Sequence, residues 1–95
     1  MIYAKASKRS RLPGGFLHVQ EEQSKLRIYG YGFGEHIKLK DDSGKIWRGS
    51  ATRQQDNSVE YRFRDEHGKS LTGVSHDKMI TLRDDEGKIW KGFID

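Results

Sequence analysis

Three stretches of this chain repeat one alternation of apolar and polar residues around the same turn. Residues 37–49, Ile-Lys-Leu-Lys-Asp-Asp-Ser-Gly-Lys-Ile-Trp-Arg-Gly, match residues 80–92, Ile-Thr-Leu-Arg-Asp-Asp-Glu-Gly-Lys-Ile-Trp-Lys-Gly. A weaker copy spans 61–73, Tyr-Arg-Phe-Arg-Asp-Glu-His-Gly-Lys-Ser-Leu-Thr-Gly. Period-two alternation on both sides of a short polar segment reads as strand, tight turn, strand. The Asp-acid-x-Gly-Lys segment suits a three-residue loop, a type I turn followed by Gly in the left-handed region. Gly44, Gly68 and Gly87 fill that position, which Gly alone takes without steric cost. In this register Leu39 faces Trp47, Ile37 faces Gly49, Phe63 faces Leu71 and Leu82 faces Trp90. The inner face then holds Ile37, Leu39, Trp47, Tyr61, Phe63, Leu71, Ile80, Leu82 and Trp90, the predicted core.

The copies start at 37, 61 and 80 and so are unevenly spaced, which speaks against a regular solenoid or propeller. A further hairpin without the turn motif precedes them, with strands at Phe16–Gln20 and Lys25–Tyr31 around Glu21-Glu22-Gln23-Ser24. Turns are expected at Gln55–Ser58 and at Ser75-His76-Asp77, and no ten-residue helical stripe occurs. The fold class predicted is all-β: a small up-and-down meander of about seven to nine short strands built from repeated hairpins, curled into a barrel or sandwich. Residues 16–95 form the single all-β domain of this reading, and residues 1–15 a basic N-terminal arm ending at Pro13-Gly14-Gly15.

Composition sharpens this picture. The chain has 95 residues, only 33% of them hydrophobic and 34% charged, a polarity close to that of disordered chains. Ten aromatic rings (two Trp, four Tyr, four Phe) supply the buried area that a thin core needs. Cysteine is absent, which excludes disulfides and thiolate zinc sites. Residues 1–12 contain no apolar signal-peptide core and no run is long enough for a membrane-spanning helix, so the expected location is cytoplasmic. Of the 18 basic residues, Lys5, Lys8, Arg9 and Arg11 lie in the arm, leaving 14 against 14 acids in the body. The whole formal excess of +4 is therefore in the arm, where it suits phosphate contacts or simple solubility.

Opposite the core, the hairpins present Lys38, Lys40, Arg48, Arg62, Arg64, Arg83 and Lys91, while Asp41, Asp42, Asp65, Glu66, Asp84, Asp85 and Glu86 crowd the turn tips. A basic strand face can track a phosphate backbone; a plain solvated sheet face is the simpler alternative. The segment Gly30-Tyr31-Gly32-Phe33-Gly34 contains Gly-Tyr-Gly-Phe, which resembles the centre of the RNP1 motif of RRM and cold-shock domains. There, strand-borne aromatics stack on bases and glycines permit close approach. Tyr29 stands where that motif has Lys or Arg and Gly34 where it has a β-branched residue, and no membership is claimed. The competing expectation is a glycine-kinked barrel corner with Tyr31 and Phe33 packed inward.

Catalytic chemistry finds no foothold in the motifs. His18, His36, His67 and His76 show no metal-ligand spacing, and no P-loop, nucleophile elbow or dinucleotide fingerprint is present. No enzyme activity, cofactor or metal is expected. The reading is a small binding module with nucleic acid as its partner through Lys5, Lys8, Arg9, Arg11, Tyr31, Phe33, Lys38, Lys40, Arg62 and Arg64. The alternative is a protein-protein or homodimer module using a strand edge and the outer-face apolar residues Ile46, Ile89 and Phe93.

Overall fold

Eight antiparallel strands follow one another in chain order and close on themselves: β1 (Gly14–Glu21), β2 (Arg27–Phe33), β3 (His36–Asp41), β4 (Ile46–Arg53), β5 (Val59–Asp65), β6 (Ser70–His76), β7 (Met79–Asp84) and β8 (Ile89–Ile94). This computed structural model describes residues 13–95; the part of the predicted arm that holds Lys5, Lys8, Arg9 and Arg11 lies outside the described residues, and Gly14 and Gly15 begin β1. Every neighbour pair is hairpin-connected except the last, where β1 pairs with β8 through Leu17↔Ile94, Val19↔Gly92 and Glu21↔Trp90. That pairing leaves no open edge among the described strands. No helix among the described residues is long and apolar enough to cross a membrane.

The turn chemistry explains why the hairpins form where they do. The amides of Gly44, Gly68 and Gly87 donate to the carbonyls of Asp41, Asp65 and Asp84, while those Asp amides donate to Lys45, Lys69 and Lys88 carbonyls. The three glycines sit at φ of +92°, +84° and +82°, as a type I turn with a following left-handed residue requires. Each Asp side chain fastens its own loop. Asp41 Oδ1 accepts from the Ser43 and Lys45 amides, Asp65 Oδ1 from those of His67 and Lys69, and Asp84 Oδ1 from those of Glu86 and Lys88, all at 2.9 Å.

The first hairpin proves to be a fourth copy of the same device. Glu21 occupies the Asp position and accepts from the Gln23 amide at 3.0 Å and the Ser24 amide at 2.8 Å. Its loop is one residue longer: the Glu21 amide donates to the Leu26 carbonyl, where the Asp41 amide donates to that of Lys45. The longer Glu side chain spans that longer loop, and Lys25, at φ of +65°, stands in the left-handed position. The Gln23 amide first, and then the Ser24 hydroxyl and amide, hold the Glu21 carboxyl down at about 2.

Inward side chains stack in layers from the hairpin end. Glu21, Asp41, Asp65 and Asp84 form the outermost ring, followed by Ile28, Trp47, Leu71 and Trp90 and then by Val19, Leu39, Phe63 and Leu82. Leu17, Ile37, Tyr61 and Ile80 come next, and all twelve of the apolar and aromatic residues in these layers are buried. The nine residues expected in the core are among them, in the expected pairing.

One glycine per hairpin knits each unit to the next. Gly30 faces Leu39, Gly49 faces Phe63, Gly73 faces Leu82, and Gly92 faces Val19 across the closing seam. A Cβ at Gly30 would run into the Lys38 carbonyl and reach 2.8 Å from Leu39 Cδ2; at Gly49 it would lie 2.6 Å from the Phe63 ring. The missing side chain thus lets the backbone of the neighbouring hairpin approach where the sheet coils, and at Gly30 and Gly49 the Leu39 and Phe63 side chains close in as well.

Several details differ from expectation. β2 begins at Arg27 rather than Lys25, because the first loop carries the extra residue. β6 continues through His76, and the turn is Asp77-Lys78, with Asp77 at φ of +55°. Tyr31 does not pack inward. Gly30 and Gly32 take the inward positions of β2, so Tyr31 points out and is 62% exposed, and Phe33 is half-buried against it.

Candidate nucleic-acid interface

The alternation that buries Leu39, Trp47 and Phe63 sends their neighbours to the outer face, and the turn register lines those neighbours up. Directly opposed residues run Phe16–Tyr31–Lys38–Arg48–Arg64 across β1 to β5. A second row runs His18–Tyr29–Lys40–Ile46 across β1 to β4, and a third Ser50–Arg62–Thr72–Arg83 across β4 to β7. With strands about 4.8 Å apart, the first row is a short cationic track that ends in two aromatic rings. Tyr31 and Phe33 meet edge-to-face with centroids 5.3 Å apart.

Electrostatics set this face apart from the hairpin end. Acids at the tips are paired: Lys45 lies 3.6 Å from the buried Asp65 carboxylate, Lys88 3.3 Å from Glu86, Arg27 3.5 Å from Asp42, and Lys91 3.2 Å from Glu22. Lys45 Nζ also sits 5.6 Å over the Trp47 ring. Lys38, Lys40, Arg48 and Arg64 have no ion-pair partner among the described residues, whereas Arg62 is held at 3.4 Å by the exposed Glu60. Like charges directly opposite on adjacent strands destabilise a sheet, so Lys38, Arg48 and Arg64 in one row work against folding. A shallow groove of about 640 Å³ between Arg48, Arg62, Arg64, Ser70 and Thr72 continues the track onto β6.

Of the residues singled out in the sequence, Tyr31, Phe33, Lys38, Lys40, Arg62 and Arg64 all lie on β2, β3 and β5. Arg48 joins them as the middle of the three cations in the longest row, and Tyr29 and Phe16 add rings beside it. Position-by-position alternation after Trp47 places Arg48; only the β1–β2 pairing reveals Phe16. The alternative interface residues are not brought together. Ile46 is on β4 and Ile89 and Phe93 are on β8, four strands away in either direction around the closed barrel. Phe93 stacks on His18 at 5.4 Å and pairs with Met79, which is 66% exposed.

The barrel end opposite the hairpin tips is lined by smaller side chains. Its inward positions are Gly15, Gly32, Ala51, Val59, Ser75 and Ile94, three of them Gly or Ala where the filled end has Trp and Leu. An open cleft of about 840 Å³ lies at that rim, bordered by Val59 and Ile94 and by the outward-facing Phe16 and Tyr31. Among the described residues no group of three or more His, Asp or Glu side chains is arranged to hold a metal ion. Comparison of the chain with protein-family models, curated proteins and solved structures returned no match.

Proposed function

We propose that this protein is a non-catalytic, cytoplasmic module that binds single-stranded nucleic acid across the outer face of β2 to β5. The observation that carries the reading is the row Tyr31–Lys38–Arg48–Arg64, cations without carboxylate partners among the described residues continuing into exposed aromatic rings. Phosphates neutralise the repulsion that the row builds into the sheet, and binding releases their counterions. Tyr29 and Tyr31 stack on bases, which favours single strands because duplex bases have no free faces. Lys5, Lys8, Arg9 and Arg11 add charge from the arm, and Lys40, Arg62 and Phe33 flank the track.

Amide shift mapping with a labelled single-stranded oligonucleotide tests this placement. The expected result is that perturbations concentrate on Tyr29, Tyr31, Lys38, Lys40, Arg48 and Arg64. Shifts centred instead on Phe93, Met79 and His18, the exposed apolar pairings of β1, β7 and β8, would move the function to a protein contact on that side.

A further inference from the structure

We propose that this protein pairs with a second copy of itself through the outer face of β8, in a weak two-fold dimer centred on Phe93. The argument starts from the order of charges along that strand. Trp90 and Gly92 take the inward positions, so Lys91 and Phe93 face outward. Asp95 follows in the same alternation, held beside Phe16 by the two backbone bonds that those residues exchange, and is exposed. The outward residues therefore read cation, ring, carboxylate. Such an order is its own complement when reversed. A two-fold axis crossing β8 at Phe93 sets the two strands antiparallel and face to face. Phe93 then meets Phe93, and Lys91 of each copy meets Asp95 of the other.

The surroundings of Phe93 fit this pairing. Directly opposed residues run His76–Met79–Phe93–His18 across β6, β7, β8 and β1, a row without Asp, Glu, Lys or Arg. Phe93 stays half-exposed although it stacks on His18. Asp95 has no ion-pair partner among the described residues. Lys91 holds Glu22 at 3.2 Å, but its ammonium is exposed and carries three donors, enough for a second carboxylate. In the ring of eight strands, β8 lies diametrically opposite β4. Lys38, Arg48 and Arg64 are thus turned away from the second copy, whereas contact through β3 to β5 would oppose like charges. The nucleic-acid face stays open in the dimer, so loss of pairing and loss of oligonucleotide binding are separable results. Four strands about 4.8 Å apart and five residues of β8 at about 3.4 Å each define a patch of about 15 by 14 Å. A convex patch of this size buries less than about 1,200 Å² in total, the range of weak and reversible contacts.

Sedimentation equilibrium of the full chain, without nucleic acid and at near-physiological salt, tests the pairing. The weight-average mass is expected to rise from 11.0 kDa toward twice that value, with half-conversion on the order of 100 µM. Phe93→Ser should weaken association about tenfold or more, because it removes the central ring. Leu26→Ser, at an exposed apolar residue of the first hairpin loop, should leave it unchanged. Lys91→Glu and Asp95→Lys should each weaken it about fivefold, since each sets like charges across the axis. Mixing those two variants should restore the parent's association, because both charge pairs are then opposite again. Near-UV circular dichroism of the two Trp residues checks that each variant is folded. Concentration-dependent amide shifts in the unmodified chain, expected at His18, Met79 and Phe93, give a readout that needs no substitution. A mass that stays at 11.0 kDa up to about 1 mM, a mixture no more associated than either variant alone, or shifts centred on Lys38, Arg48 and Arg64 would each overturn the proposal.

Discussion

Leu39→Ala probes the feature that organises the barrel, the pairing of a large residue with a glycine across each hairpin junction. Leu39 is fully buried, between Trp47 on β4 and Gly30 on β2. Truncating a buried Leu costs about 2–5 kcal/mol, with the spread set by how far the surroundings collapse into the void. Collapse from β2 is impossible here, because Gly30 has no side chain and its backbone already abuts the Lys38 carbonyl. The cost therefore falls in the upper half, about 3–5 kcal/mol, against a total of roughly 5–14 kcal/mol for a domain of this size. At about 4–8 °C per kcal/mol, the thermal midpoint should fall by at least about 12 °C. Thermal unfolding followed by Trp fluorescence measures it, with exposed Leu26→Ala as the control, expected within about 0.5 kcal/mol of the parent. Adding Gly30→Ala to Leu39→Ala should worsen the loss, since the new methyl meets backbone rather than the space vacated. A midpoint lowered by less than about 5 °C, or rescue by the double substitution, would refute the junction argument.

Acid should loosen the hairpin end first. Glu21, held at about 2 by the Gln23 amide and the Ser24 hydroxyl and amide, binds a proton more weakly folded than unfolded. Its contribution is complete above its unfolded value of 4.5 and is lost as pH falls toward about 2. Burial pushes the Asp65 carboxyl upward, but the Lys69 and His67 amides and the Lys45 charge outweigh it and leave the group lowered. Urea midpoints should therefore drop between pH 5 and pH 2, and Glu21→Gln should flatten that decline; a decline of unchanged slope would contradict the role given to Glu21. On the outer face, Arg48→Ala should weaken oligonucleotide binding and reduce the salt slope by about 0.7, the share of one phosphate contact on a single strand. It should leave the thermal midpoint equal or higher, because it relieves the opposed charges of Lys38 and Arg64.

The fold was legible in the sequence wherever the turn chemistry is local. Asp41, Gly44 and Lys45 and their two repeats determine a loop length, the loop length determines a register, and the register sorts Leu39 from Lys40. The first hairpin escaped this logic because Glu21 and a left-handed Lys25 replace Asp and Gly with one residue inserted. A shared hydrogen-bonding task, not a shared residue, makes it a member of the set. Closure depends on Val19 meeting Gly92, residues from opposite ends of the domain, and no short-range pattern reports it. The same applies to the surface. Alternation shows that Ile46, Ile89 and Phe93 face outward, but only the closed ring shows Ile46 on the far side from the other two. Alternation alone left Tyr31 either a stacking ring or a core aromatic among glycines; in the barrel those glycines are the inward residues, and Tyr31 is on the exterior.

Fluorescence anisotropy of labelled single-stranded RNA, single-stranded DNA and duplex DNA tests the proposed binding face most directly. The full chain is compared with a variant carrying Lys38→Ala, Arg48→Ala and Arg64→Ala, each titrated across a range of salt concentrations. With five cations on the face, the logarithm of affinity for a single strand should fall with the logarithm of salt at a slope of about 3.5 or steeper, and the triple variant should lose about 2 of it. Single strands should bind more tightly than duplex. No binding at low salt, or a triple variant that binds with the parent's slope, would contradict the account.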